Sequence, residues 1–356
     1  MLRLPGSSLT AVLIALGAIQ GCADHPTDPG SSAGLPTISP EEAGFSSERL
    51  RAARAHFDQI GSAAFMALHD GRVFVSWGNV DRKYSLHSVR KALLGALYGI
   101  AVARGEIDTS ATLAALGIDD IPPSLTAEER QARVIHMLKS QSGVYHEAAY
   151  ESWDIISTRP PRGSHPPGTF YWYNNWDFNT LGVIYEQETG AGIFEAFKRE
   201  IADPIGMEDF EVADGTYVHE PEKSQHPAYP FRMTARDLAR FGVLFQQNGM
   251  WAGRQIIPPS WITASWTPYG MDDPDLRLAY GLMWGIMLAD SPLGFGPAYL
   301  HGGLALQYVI IWPQDRLVFV HLVDTDRPWS TTSDQIGQLF SLVLAARDLN
   351  TGARRR

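Results

Sequence analysis

Hydrophobic and polar positions follow two different periods along this chain. Two short apolar runs, at 64–69 and 72–77, are separated by Asp70 and Gly71, which is the pattern of a β-hairpin. Between 109 and 271, apolar residues mostly recur every three or four positions, as on helices. Strand-like runs return near the end of the chain, at 280–287, 304–312 and 316–323. We therefore expect an α+β fold, with one sheet built from both ends of the chain.

The helical pattern is strongest in seven segments with an apolar face: 46–60, 88–105, 126–139, 176–189, 193–201, 234–247 and 333–347. Most of them lie between the early and the late strands. This arrangement predicts one domain at 41–350. It has a mixed sheet part at 41–86 and 277–350 and an inserted, mainly helical part at 87–276.

The first 21 residues carry an early charge at Arg3 and an apolar run at 9–19, which is the pattern of a signal peptide. The apolar run is followed by Gln20, Gly21 and Cys22, and this junction resembles the lipobox of bacterial lipoproteins. A lone cysteine is also often a buried core residue. We favour lipidation of Cys22, because residues 22–40 are rich in Pro, Gly, Ser and Asp and read as a flexible tether. The prediction is an exported lipoprotein of the bacterial cell envelope, held at the membrane by its lipid.

Composition excludes some partners. The net charge of -10 and the absence of a basic cluster before the short tail at 354–356 argue against nucleic acid. A hydrophobic content of 45% supports a large core. Neither value fixes the oligomeric state.

The helix pattern that begins near Ser88 also carries chemistry. Lys91 lies three residues later, so its amine can reach the Ser88 hydroxyl on one helix face. The positive end of the helix dipole would favour negative charge at Ser88. The alternative is that Ser88 caps the helix and Lys91 is a solvated residue of the first turn. Ser-x-x-Lys by itself is a weak motif.

A second group of candidate residues precedes the predicted helix at 176–189. Tyr173 and Asn175 are spaced so that both side chains can lean toward one point. A nearby lysine cation would lower the pKa of a tyrosine and make it a proton-transfer group. An asparagine can bind a substrate carbonyl and orient the lysine. The alternative is an aromatic loop that packs on the core.

A third group is His301, Gly302 and Gly303, which we expect at the start of the strand at 304–312. Two glycines would let a substrate approach the backbone, and the amide of Leu304 would face a bound carbonyl. The alternative is a turn with a hydrogen-bonded histidine.

In this order and at these separations, Ser88-x-x-Lys91, Tyr173-x-Asn175 and His301-Gly302-Gly303 resemble the serine beta-lactamase-related family. That family includes class C beta-lactamases, D,D-peptidases, D-aminopeptidases, esterases and nylon-oligomer hydrolases. The resemblance covers about 39–347. It implies a beta-lactamase-like fold, with an antiparallel five-stranded-type sheet flanked by N- and C-terminal helices and an inserted helical domain.

The resemblance also implies roles for individual residues. Ser88 would be the acylated nucleophile, Lys91 and Tyr173 the proton-transfer pair, and Asn175 a contact to substrate and lysine. The backbone amides of Ser88 and Leu304 would form the oxyanion hole. No metal or cofactor is implied.

One departure bears on the substrate. Members that act on beta-lactams usually have lysine and then threonine or serine where this chain has His301 and Gly302, and those residues help to hold a substrate carboxylate. The expected activity is therefore that of a serine hydrolase, an esterase or amidase acting on small esters or amides. The alternatives are a beta-lactamase or D,D-peptidase, and a lipid-anchored binding protein without catalysis.

Overall fold

The computed structural model describes residues 34–347 of the 356-residue chain. The predictions for the signal peptide at 1–21 and for Cys22 lie outside these residues. None of the helices formed by 34–347 is both long and apolar enough to cross a membrane.

Both ends of the described chain build one large sheet. The sheet has eight antiparallel strands in the order β2-β1-β12-β11-β10-β9-β8-β7, and two small two-stranded sheets lie outside it. The strands are β1 (Ala64–His69), β2 (Arg72–Gly78), β3 (Tyr84–Ser85), β4 (Arg232–Met233), β5 (Met250–Trp251), β6 (Arg254–Gln255), β7 (Gly270–Asp273), β8 (Leu278–Tyr280), β9 (Gly285–Met287), β10 (Ala298–Gly303), β11 (Gln307–Trp312) and β12 (Leu317–Leu322). The predicted α+β class is confirmed, and the sheet has eight strands where five were expected.

The helices lie before, after and between the two groups of strands. They are α1 (Ser47–Gln59), α2 (Arg90–Ala103), α3 (Leu113–Leu116), α4 (Val134–Leu138), α5 (Trp153–Thr158), α6 (Asn175–Thr189), α7 (Ile193–Phe197), α8 (Ala235–Gln246), α9 (Pro259–Ser265) and α10 (Ser333–Ala345). Short 3₁₀ turns occur at His87–Val89, Glu129–Gln131, Val212–Asp214 and Leu304–Leu306, and a π turn at Lys198–Ala202.

Each face of the sheet has its own core. On one face, α1 and α10 cover an aromatic layer that includes Phe65 and Phe319. On the other face, Val318 and Val320 pack with α2, α8 and the rest of the helical part. Because side chains alternate between the faces of a strand, a strand covered on both sides reads as one continuous apolar run. This is why 317–322 carries no alternating pattern.

Two predicted strands are divided by turns. The run at 280–287 is a hairpin of β8 and β9, with Met283 between them in the left-handed region at φ 58°. The run expected at 304–312 begins only at Gln307, because Ala305 and Leu306 both have positive φ and turn the chain. Strand β10 therefore ends with His301, Gly302 and Gly303. The sequence pattern had placed these three residues at the start of a strand instead.

The boundaries of the folded part differ slightly from the predicted ones. Residues 36 and 38 already exchange backbone hydrogen bonds with Val73 of β2, at 2.8 and 2.9 Å, so pairing with the sheet begins before residue 41. At the far side, β7 joins the sheet at Gly270, ahead of the expected boundary at 277. The helix expected at 126–139 is a 3₁₀ turn followed by the short α4.

Candidate active site

Ser88 lies in the 3₁₀ turn that leads directly into α2. This turn packs against the end of β10, and a side chain at Gly303 would place its Cβ 2.6 Å from the Leu86 carbonyl oxygen and 3.2 Å from the Ser88 nitrogen. Glycine is therefore required at 303 for the two segments to meet. Leu304 follows at the same edge, with its side chain half exposed. Ser88 is not the helix cap, since neither helix start has a side-chain cap hydrogen bond.

Lys91 is completely buried on the first turn of α2. Its Nζ lies 2.9 Å from Ser88 Oγ, 2.5 Å from Tyr173 OH and 2.8 Å from Asn175 Oδ1. All three partners are neutral, and no carboxylate within 34–347 forms an ion pair with Lys91. Burial, helped by the nearby Arg90 guanidinium, lowers the pKa of Lys91 well below its ordinary value. The geometry thus favours an uncharged amine next to the Ser88 hydroxyl.

The pKa of Tyr173 is shifted in the direction opposite to the one expected from the sequence. Burial raises the pKa of Tyr173, and its hydrogen bond with Ser88 lowers it only in part. Burial of Lys91 lowers the pKa of that amine as well, which weakens the cation that was expected to stabilise a phenolate. Tyr173 is consequently a protonated phenol in the resting site, held 2.5 Å from the amine.

Asn175 begins α6, behind the cap formed by Asn174. Its Oδ1 accepts from Lys91 and its Nδ2 donates to the Tyr150 carbonyl oxygen at 2.5 Å. These contacts orient the amine, as expected for one of the two predicted roles. The second role, contact with substrate, stays a prediction.

His301 is buried at the end of β10. Its Nδ1 lies 3.0 Å from the Gly302 carbonyl oxygen, so Nδ1 carries the hydrogen and Nε2 is an acceptor. Burial lowers the pKa of His301 to about 3. The ring is neutral at physiological pH, and it cannot replace the positive charge of a lysine at this position.

Sequence reasoning missed a second layer around Ser88. His87 Nδ1 lies 2.9 Å from Tyr150 OH, and His87 Nε2 lies 3.0 Å from Thr325 Oγ1. Arg90, fully buried, stacks its guanidinium 4.2 Å from the centre of the Tyr229 ring. Tyr150 is 63 residues from His87 in the sequence, and Thr325 is 238 residues from it. No local motif could therefore have revealed them.

A cavity of about 370 Å³ opens beside Ser88. Its walls come from the Tyr173 segment and from the β7–β10 side of the sheet. The lining residues are Ser88, Tyr173, Asp272, Leu278, Ala279, Tyr280, Gly285, Ile286, Leu300, His301, Gly302, Gly303, Leu304 and Tyr308. The structure thus brings the three sequence motifs to one place, with Lys91 and Asn175 directly behind the wall.

Comparison with known proteins identifies the fold and the family. The sequence profile described as Beta-lactamase matches residues 50–339. A candidate 6-aminohexanoate-dimer hydrolase from Bacillus anthracis superposes with a TM-score of 0.67 at 20% identity, covering 91% of this chain and 89% of that one. A penicillin-binding protein homologue from Pyrococcus abyssi, an octamer, gives 0.61 at 16% identity, with coverages of 84% and 75%. A family VIII carboxylesterase gives 0.62 at 14% identity, with coverages of 85% and 99%. Among curated proteins, none matches this chain.

The fold is that of the beta-lactamase-like proteins, whose members are mostly serine hydrolases. The family profile covers most of the chain, so this protein belongs to the beta-lactamase family.

Proposed function

We propose that the protein is a serine hydrolase that cleaves small esters or amides through an acyl-enzyme on Ser88. The observation that carries the proposal is the position of the fully buried Lys91, whose Nζ lies 2.9 Å from Ser88 Oγ and 2.5 Å from Tyr173 OH, and whose pKa is lowered by burial. A base next to a nucleophile, with a protonated phenol beside it, has the parts needed for acyl transfer.

In the first half-reaction, Ser88 Oγ bonds to the substrate carbonyl carbon and gives its proton to Lys91. The tetrahedral oxyanion would be stabilised by the amides of Ser88 and Leu304. As the carbon–oxygen or carbon–nitrogen bond breaks, the leaving group takes the Tyr173 proton. Lys91 then returns its proton to Tyr173.

In the second half-reaction, water gives a proton to the same pair and bonds to the acyl carbon. The ester bond to Ser88 breaks, and Ser88 Oγ recovers its proton. The products are a carboxylic acid and an alcohol or amine, and the resting protonation of Ser88, Lys91 and Tyr173 is restored.

The choice of esters and amides over beta-lactams follows from His301. A carboxylate on a beta-lactam would meet a neutral ring, because the pKa of His301 is lowered to about 3. The names of two structural neighbours, a carboxylesterase and a candidate amide hydrolase, are consistent with this choice. A binding protein without catalysis is disfavoured, since binding alone does not require a buried lysine in contact with both a serine and a tyrosine.

A fluorophosphonate probe tests the proposal. We expect the probe to label the protein at Ser88, as located by peptide mass spectrometry, and turnover on an ester and amide panel to disappear in Ser88→Ala. Ser157→Ala, at an exposed serine of α5, is the matched control and keeps labelling and turnover. Fluorophosphonate labelling that is unchanged in Ser88→Ala would contradict the proposal. Covalent trapping by a fluorescent penicillin at low concentration would instead favour beta-lactam or D,D-peptidase chemistry.

A further inference from the structure

The edge strand β7 contributes one carboxylate, that of Asp272, to the wall of the cavity. Met271 pairs with Ala279 and Asp273 pairs with Leu278, so Asp272 is the extra residue of a β-bulge. Bulges turn a side chain away from its regular position and often occur next to active sites. Here the bulge leaves Asp272 accessible and in the wall of the cavity that contains Ser88.

The Asp272 carboxylate is held in place by a neutral group. Tyr171 OH donates to Asp272 Oδ1 at 2.7 Å. Tyr171 can pack on β7 because residue 270 is glycine, where a Cβ would lie 2.7 Å from the Tyr171 Cβ. Burial raises the pKa of Tyr171 well above its ordinary value, so the phenol stays protonated and keeps donating to Asp272.

Among the residues that the structure describes, no cation balances this carboxylate. Within 34–347, no lysine, arginine or histidine lies within ion-pair distance of Asp272, whereas Asp290 pairs with Arg277 at 3.0 Å. Among the described residues that line the cavity, Asp272 is the one with a formal charge, since His301 is neutral.

We infer that this cavity selects esters or amides that carry a positively charged group, an amine or a quaternary ammonium, and that Asp272 binds that group. The inference rests on the proposed hydrolase function and specifies its substrate class. It follows from the carboxylate in the wall, which has no ion-pair partner within 34–347, together with the lack of any cation among the described residues that line the cavity.

Two pairs of esters with equal shape and different charge test the inference. Choline butyrate and 3,3-dimethylbutyl butyrate differ in the charge of the alcohol part. The 4-nitrophenyl esters of 5-(trimethylammonio)pentanoate and 6,6-dimethylheptanoate differ in the charge of the acyl part. In at least one pair, we expect kcat/KM for the cationic ester to exceed that of its neutral partner by about tenfold or more, as for a charge pair in a partly desolvated site.

Asp272→Asn is the decisive variant, and the quantity compared is the cationic-to-neutral ratio within each protein. The ratio should fall to about one in Asp272→Asn and stay within about twofold of the wild type in Asp273→Asn, which preserves the acceptor for the Leu276 amide. A wild-type ratio near one in both pairs would overturn the inference. A ratio that persists in Asp272→Asn would do the same.

Binding separates this inference from the hydrolase proposal. Ser88→Ala protein is titrated with the same intact esters by calorimetry, with and without Asp272→Asn. Tighter binding of the cationic esters that depends on Asp272 supports the inference even if the wild type hydrolyses none of the four esters, a result that would count against the proposed function. Equal binding of charged and neutral partners overturns the inference, whatever the turnover.

Discussion

At the scale of single residues, the site depends on the charge state of Lys91. The sequence offers a lysine three positions after a serine, and such a lysine is usually charged and solvated. In the structure it is fully buried, and its partners Ser88, Tyr173 and Asn175 are all neutral. Burial lowers the pKa of Lys91, which favours a base at this position, and burial also raises the pKa of Tyr173.

The first prediction concerns this base. Lys91→Met retains the length of the side chain and removes the amine, so we expect kcat/KM to fall about 10²–10⁴-fold, the range of general-base catalysis. In the wild type, the rate should be lost as pH falls through the lowered pKa of Lys91, because an ammonium cannot accept the Ser88 proton. In a profile of kcat/KM against pH, this loss of rate should lie well below the pH at which an ordinary lysine titrates.

The measurement is a pH profile of kcat/KM on one neutral ester. Lys198→Met, which removes a surface ion pair with Asp203, is the control and should reproduce the wild-type profile. A profile that rises only near the ordinary lysine pKa, or a Lys91→Met enzyme of normal rate, would show that another group is the base.

At the scale of elements, the loop between α4 and α5 holds the Tyr173 segment against α6. Ser140 Oγ donates to the Trp172 carbonyl oxygen at 2.8 Å, and Ser142 Oγ donates to Asp177 Oδ1 at 2.5 Å. Asp177 is fully buried in the first turn of α6. These bonds fix Tyr173 relative to Lys91 through two elements far apart in sequence.

The second prediction follows from Asp177. Burial raises its pKa from 3.8 to about 7, although hydrogen bonds from Ser142 oppose the shift. Between these two pH values the folded protein retains a proton that the unfolded chain has released. Stability therefore falls as pH rises across this window, by roughly 4 kcal/mol for this one group.

Asp177→Asn preserves an acceptor for Ser142 and removes the titration. We expect urea unfolding between pH 4.5 and pH 8 to show a weaker loss of stability with rising pH in this variant than in the wild type. Asp154→Asn, in the first turn of α5, serves as the control. Equal pH slopes in Asp177→Asn and the wild type would contradict the assignment.

At the scale of the whole molecule, the site lies where the two ends of the chain meet the helical part. β1 pairs with β12 from Ala64 opposite Leu322 to His69 opposite Leu317, which closes the sheet around the insertion. β10 then reaches the turn that carries Ser88, and β7 and β8 form the far wall of the cavity. Clefts between such units are common substrate sites.

The third prediction concerns the attachment of this body to a membrane, which we propose from the sequence. Cys22→Ala in the full-length chain should move the protein from the membrane to the soluble fraction and abolish incorporation of labelled palmitate. Ser31→Ala, in the same segment, should change neither result. Ester turnover should be retained, because the site is built by residues from 86 onward. Membrane retention of Cys22→Ala without its lipid would contradict the anchor.

The sequence by itself determined the elements whose signals are local. The hairpin of β1 and β2 follows from Asp70 and Gly71, and α8 begins at the Thr234 cap, as its pattern predicted. The three motifs also follow from spacing. Turns inside apolar runs were missed, because Met283 and Ala305 adopt positive φ without the glycine or asparagine that usually marks such a turn.

Only the tertiary structure decided the charges that define the chemistry. Lys91 meets Tyr173 and Asn175 from 82 and 84 residues away, and their shared burial sets the direction of each pKa shift. Asp272 reaches the cavity through a β-bulge, and no local sequence pattern predicts that bulge. A pKa depends on desolvation and on neighbours brought together by folding, so it cannot be read from the spacing of residues along the chain.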